Sequence, residues 1–167
     1  MTTINEVYEE LKQEVEEVYN DKHRQEVLNT IDDIIIALNW WINRFQDYWV
    51  DELTRIWGRL AIYQYNLIEY EQQAFKNYRK AELEVKVKRN SIRQQLLSEK
   101  SEKKITAKEV DVKVEAMLVK SEMLLSLYES EFNKLTSIKF SINMIVNRIE
   151  SRIKYLISDI NPRFKNG

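Results

Sequence analysis

The chain has 167 residues, 44 % of them apolar and 32 % charged, with 26 bases against 27 acids and a formal charge of −1. That apolar share can fill one core of ordinary domain size, while two Gly and one Pro leave little with which to build hairpins or irregular catalytic loops. The absence of Cys excludes disulfides and thiolate metal sites, and the single histidine, His23, excludes a multi-histidine centre.

Long helices are therefore expected, and the fold class is all-α. The first helix runs from about Asn5 to Tyr19. Thr3 and Glu6 have capping-box spacing, and Ile4, Val7, Tyr8, Leu11, Val15 and Val18 form one stripe at spacings of three and four. Its opening, MTTINEVYEELKQEVEE, is acidic where a signal peptide is basic and then apolar, which points to an intracellular, cytoplasmic chain.

Asn20, Asp21 and Lys22 read as a short break. A second helix then runs from about Arg24 to Trp49, with a wide apolar face that should be buried on more than one side. Its most apolar window, IIIALNWWI, is bracketed by Asp32, Asp33 and Arg44 and is far shorter than the roughly 20 residues of a membrane span. It reads as core, and no membrane association is expected.

The third helix begins near Asp51 and meets no breaker except Gly58 before about Ser98. Leu53, Leu60, Leu67, Ala74 and Ala81 recur every seven residues, with Trp57, Tyr78, Val85 and Ile92 on the companion seam and Gln64 and Glu71 as polar interruptions. At ~1.5 Å per residue such a helix would reach about 70 Å. The fourth starts at Thr106, where TAKE repeats the capping-box spacing, and continues to Ile160, before Asn161 and Pro162. Its seam is Val110, Val114, Met117, Leu124, Tyr128, Leu135, Ile138, Ile142, Ile145, Ile149 and Leu156.

Two helices of matching length around the polar break SEKSEKK imply a long, coiled-coil-like antiparallel hairpin. The expected organisation is one elongated domain: N-terminal helices over residues 1–50, hairpin over 51–160, tail over 161–167. The two N-terminal helices should pack together at the end opposite the tip, and apolar stripe left over predicts self-association. Gly58, Asn90 and Asn143 are the candidate kinks.

Charge is unevenly spread along the chain. Residues 1–72 carry −9, residues 73–113 carry +6 and residues 114–167 carry +2. The basic third contains KVKRNSIRQQLLSEKSEKKITAKE, Lys86 to Glu109, which flanks the expected tip. Clustered Lys and Arg attract phosphates through salt-sensitive electrostatics. The same side chains, interleaved with Glu99 and Glu102, would equally solvate an exposed tip.

The other polar and aromatic candidates lead to structure. Tyr63, Tyr65, Tyr70, Phe75 and Tyr78 precede the basic run, but helical spacing spreads them around the circumference, as core, seam or subunit contact rather than one stacking platform. Trp40, Trp41, Trp49 and Trp57 lie in the acidic part and read as core or interface. His23 sits in a polar break without a nucleophile signature, Asp32 and Asp33 point about 100° apart on a helix, and no Glu-x-x-His motif occurs. No catalytic residue, metal site or cofactor is expected, and the chain is read as non-enzymatic.

One sequence order resembles a known family. Trp57 opens IWGRLAIYQYNLIEYEQQAFKNYRKAELEVKVKR; a basic turn ending in KKIT leads to Val110, Val114 and Leu124; and the last helix carries Arg148 and Arg152 in VNRIESRIKYL. This looks like the phage recombination mediators of the UvsY type, over roughly Leu53 to Ile160. The resemblance implies a homo-oligomeric ring or barrel of helical subunits in the host cytoplasm. Such an assembly binds single-stranded DNA without catalysis and helps load a recombinase or other replication protein. The residues it would assign to DNA are Lys86, Lys88, Arg89, Arg93, Lys103 and Lys104 around the turn, with Arg148 and Arg152 on the last helix. The chain departs from that pattern in its longer N-terminal part, Met1 to Val50. Two other functions fit the same residues: a helical scaffold or adaptor for protein assembly, and an inhibitor whose acidic residues 1–72 mimic nucleic acid.

Overall fold

A computed structural model describes residues 3–41, 50–100 and 106–160, without the side chains of 37–41, 99–100 and 159–160. It consists of α1 (Ile4–Val18), α2 (Lys22–Trp41), α3 (Val50–Lys100) and α4 (Ala107–Ile160). Among the described residues only Thr3, Tyr19, Asn20, Asp21 and Thr106 lie outside helix, and no strand is present. The hairpin tip at 101–105, the end of the expected second helix at 42–49, with Trp49, and the tail with Pro162 lie outside the described residues, as do the side chains of Trp40 and Trp41.

The helix starts follow local chemistry. Thr3 caps α1 through a reciprocal box in which its hydroxyl accepts from the Glu6 N–H at 3.3 Å and its own N–H donates to Glu6 at 2.6 Å. Asp21 ends the break before α2: its carboxylate accepts from the His23 N–H at 2.9 Å, and its carbonyl accepts from Gln25 at 3.0 Å. Gly58 and Asn90 do not interrupt α3, and Asn143 does not interrupt α4.

Contacts gather into two compact units, neither contiguous in sequence, because both draw on α3 and α4. The first unit holds α1, α3 from residue 72 and α4 to residue 133; the second holds α2, α3 to residue 71 and α4 from residue 134. α1 and α2 therefore belong to different units.

In the second unit, Leu53, Leu60, Ile145 and Ile149 form a buried cluster, with Ile34 and Ile35 of α2 packed against it. Polar ties fix the register of α3 on α4. The Trp57 indole N–H donates to Glu150 at 3.0 Å, the Gln64 amide donates to Asn143, and Glu71 accepts from Thr136 at 3.2 Å and from Lys139. The sequence separations of Trp57–Glu150, Gln64–Asn143 and Glu71–Thr136 are 93, 79 and 65, falling by fourteen for each seven residues of α3. Only antiparallel helices in constant register give that progression. The polar interruptions of the α3 heptads are thus matched by polar partners.

In the first unit, the heptad position held by Leu53, Leu60 and Leu67 passes to Ala74 and Ala81, all five buried. Aromatic side chains supply the missing volume. Phe132 stacks on Tyr78 at 6.1 Å and tilts against Phe75 at 5.3 Å. Tyr19, following α1, meets the edge of Tyr128 at 6.3 Å, and its hydroxyl accepts from Asn77 at 3.0 Å. Leu11 and Val15 are the buried residues of α1 itself. Farther along, Leu96 packs with Val110, Val114 and Leu118.

Met117 corrects the expected seam: it is 61 % exposed and Leu118 is fully buried in its place. Val110, Val114 and Leu118 advance by two steps of four, a pattern nearer eleven residues per three turns than seven per two, so the seam moves past Met117. Leu67→Ala should accordingly cost about 2–5 kcal/mol, whereas Met117→Ala should stay within about 0.5 kcal/mol. Urea melts of the two variants measure the difference.

Candidate nucleic-acid interface

The candidates Lys86, Lys88, Arg89 and Arg93 lie on exposed turns of α3 in the first unit, and most already face carboxylates. Lys86 reaches Glu82 one turn back at 2.9 Å, and Arg79 reaches the same carboxylate at 2.6 Å. Arg89 spans to α4, where it meets Glu122 at 2.5 Å and Glu115 at 3.4 Å. Arg93 meets Asp111 at 3.3 Å, and Lys88 donates to the Ser121 hydroxyl at 3.1 Å. Lys103 and Lys104 lie outside the described residues.

The two remaining candidates belong to the second unit. Arg148 is exposed, and Arg152 is half-buried with its guanidinium 5.1 Å from the Tyr155 ring centre. Trp57, at 36 % exposure, is tied to Glu150.

Sequence reasoning underweighted a second set of bases. Lys76, Lys80, Lys108, Lys113 and Lys120 are all exposed in the first unit and have no carboxylate within ion-pair range among the described residues. Two shallow grooves involve them. One is lined by Lys80, Leu83, Glu84, Val87 and Lys88 on α3, the other by Thr106, Lys108, Glu109, Val112 and Lys113 on α4. Each combines exposed apolar side chains with lysines. The signal available in sequence was spacing: Lys76, Leu83 and Val87 fall on the side of α3 opposite Ala81 and Val85.

The pairing limits what the arginine-rich part contributes. Arg89 and Arg93 are 45 % and 58 % exposed, so their ion pairs contribute about 0–1 kcal/mol each to stability. They do neutralise the local field, since each cation has a carboxylate in contact. The same unit also contains α1, which has acidic side chains including Glu6, Glu9, Glu10, Glu14, Glu16 and Glu17.

Titration follows the same geometry. Hydrogen bonds from Lys86 and Arg79 hold the Glu82 carboxyl below its ordinary range, and hydrogen bonds from the Thr106 backbone and hydroxyl do the same for Glu109. Burial pushes the Tyr128 phenol up, with Glu14 and Glu84 adding to the shift. No group of three or more His, Asp or Glu able to hold a metal ion occurs among the described residues. No described helix is long and apolar enough to cross a membrane.

Searches against family models, curated proteins and solved structures found no match to this chain. The resemblance to the mediators rests on the quoted residues alone.

The Glu109 cap makes the start of α4 pH-sensitive. Its folded pKa lies below the unfolded value, so its stabilising contribution is complete above the ordinary carboxylate pKa and is lost as pH falls through the depressed one. Amide exchange at Lys108 to Val110 should accelerate selectively, beyond the intrinsic pH effect, on acidification through that window. Thr106→Ala, which keeps the backbone donor, should reduce the selective part, and Glu109→Gln should remove it.

Proposed function

We propose that the chain is a non-enzymatic, self-associating helical protein that binds single-stranded nucleic acid through the lysines of its first unit, in the manner of a recombination mediator. The observation that carries this reading is the set Lys76, Lys80, Lys108, Lys113 and Lys120, exposed and in no salt bridge among the described residues, with Lys113 acting on Glu109 only electrostatically. Unpaired lysines can bind phosphate with no internal ion pair to break. Lys86, Arg89 and Arg93 must exchange a carboxylate for a phosphate, so they contribute less than their number implies. The self-association part is supported by exposed large apolar side chains on both long helices, among them Tyr65, Val87, Val112 and Phe140. A recombinase or other replication protein is the partner class that accompanies this reading.

A second reading has its own support. The matching of Arg89 and Arg93 on α3 to Glu115, Glu122 and Asp111 on α4 is what a scaffold needs to hold two long helices in register. On that reading the chain is an adaptor that organises protein partners only.

A gel shift with a labelled single-stranded oligonucleotide, over a salt series, separates the two. If five lysine–phosphate contacts form, log affinity against log salt should have a slope of about −3.5, from roughly −0.7 per contact on single strands. Replacing the five lysines with Gln should flatten that slope with helicity unchanged, and replacing Lys86, Lys88, Arg89 and Arg93 should have the smaller effect. No binding at low salt, or a slope unaltered in the five-lysine variant, leaves the adaptor.

A further inference from the structure

The second unit contains a belt without charge. In a chain that is 32 % charged, Leu60 to Ile68 of α3 carries no charged residue, and Phe140 to Asn147 of α4 carries none either. The Gln64–Asn143 hydrogen bond sets the two stretches side by side. Helices with one solvent face normally place charge on it, and a helix uncharged all round is normally covered all round.

Among the described residues, nothing covers the outward side. Tyr65 is 75 % exposed, Phe140 65 %, Ile62 63 % and Met144 43 %. α2 covers the other side, where Ile34 and Ile35 pack on the cluster containing Leu60 and Ile145. Tyr65 follows Leu60 by five residues and Phe140 precedes Ile145 by five. At about 100° per residue, each lies about 140° around its helix from the side that meets that cluster. The register fixed by Gln64 and Asn143 sets Tyr65 level with the turn between Phe140 and Met144. Together they form one apolar face, turned away from α2.

We infer that this uncharged face is the contact by which a second copy of the chain docks, deepening the self-association on which the proposed function rests. Charge matching selects that occupant. A partner bringing ionised side chains to this face would lose their hydration without meeting a counter-charge, whereas a second copy brings a face equally free of charge. Interface centres are depleted in charged residues and enriched in aromatic residues and Met, as this face is. Ile62, Tyr65, Phe140 and Met144 expose on the order of 500 Å² per copy, so two copies would bury about 1,000 Å², the size at which specific interfaces begin.

Light scattering of the full chain at micromolar concentration, beside Tyr65→Glu and Phe140→Glu, tests the contact. The unsubstituted chain should be multimeric, and each variant should associate at least tenfold more weakly with unchanged helicity. Ile36→Glu, on exposed α2 surface, should leave the mass unaltered. A monomeric unsubstituted chain overturns both this contact and self-association. A multimer whose mass survives both Glu variants overturns this contact alone. Should either variant lose helicity, Phe140→Cys in the otherwise cysteine-free chain provides a second measurement. A spin label there should be immobilised and released on dilution, and a label as mobile as one at Ile36→Cys overturns the proposal.

Discussion

The antiparallel seam between α3 and α4 is the constraint on which the rest depends. Its apolar members, Leu53, Leu60 and Leu67 on one side and Leu135, Ile142 and Ile149 on the other, are all fully buried. Apolar packing alone tolerates slippage by a heptad, since one leucine replaces another. Glu71 with Thr136 and Lys139 removes that freedom, because a heptad shift in either direction would set its carboxylate opposite Asn143 and Val146 or opposite Glu129 and Phe132, without its lysine. Within the second unit, the packing of α2 on the seam inherits its register from those few polar groups.

Much of this was legible in the sequence. Thr3 with Glu6 and Thr106 with Glu109 marked two helix starts, and the Leu-to-Ala heptads of α3 marked its buried stripe residue by residue. Packing partners were less legible. α1 and α2 are neighbours in sequence, and both carry apolar stripes, but a stripe does not say which part of a long groove it fills. Tyr19 decides it for α1 by meeting Asn77 and Tyr128. Met117 and Leu118 differ by one position in a helix with apolar residues at both, and heptad spacing chose the exposed one.

The candidate interface shows a different limit. Counting bases located the charged third of the chain but not which charges remain available, because availability depends on where carboxylates of the other helix fall. Glu115, Glu122 and Asp111 are remote from Arg89 and Arg93 in sequence and adjacent in space. Arg89 and Arg93 were therefore a poorer guide to open positive surface than isolated lysines such as Lys76 and Lys120.

The way α1 is held has a consequence for how the protein opens. Leu11 and Val15, with Tyr19 just beyond its end, are its only buried side chains, while its remaining surface is solvated and rich in carboxylates. A segment secured by so few contacts sits at the low end of the range of local opening free energies. Its departure would uncover the edge of Tyr128, bring the phenol nearer its ordinary ionisation range, and remove six glutamates from the neighbourhood of the basic helices. Such an opening would alter the long-range field of the first unit without breaking a single α3–α4 contact.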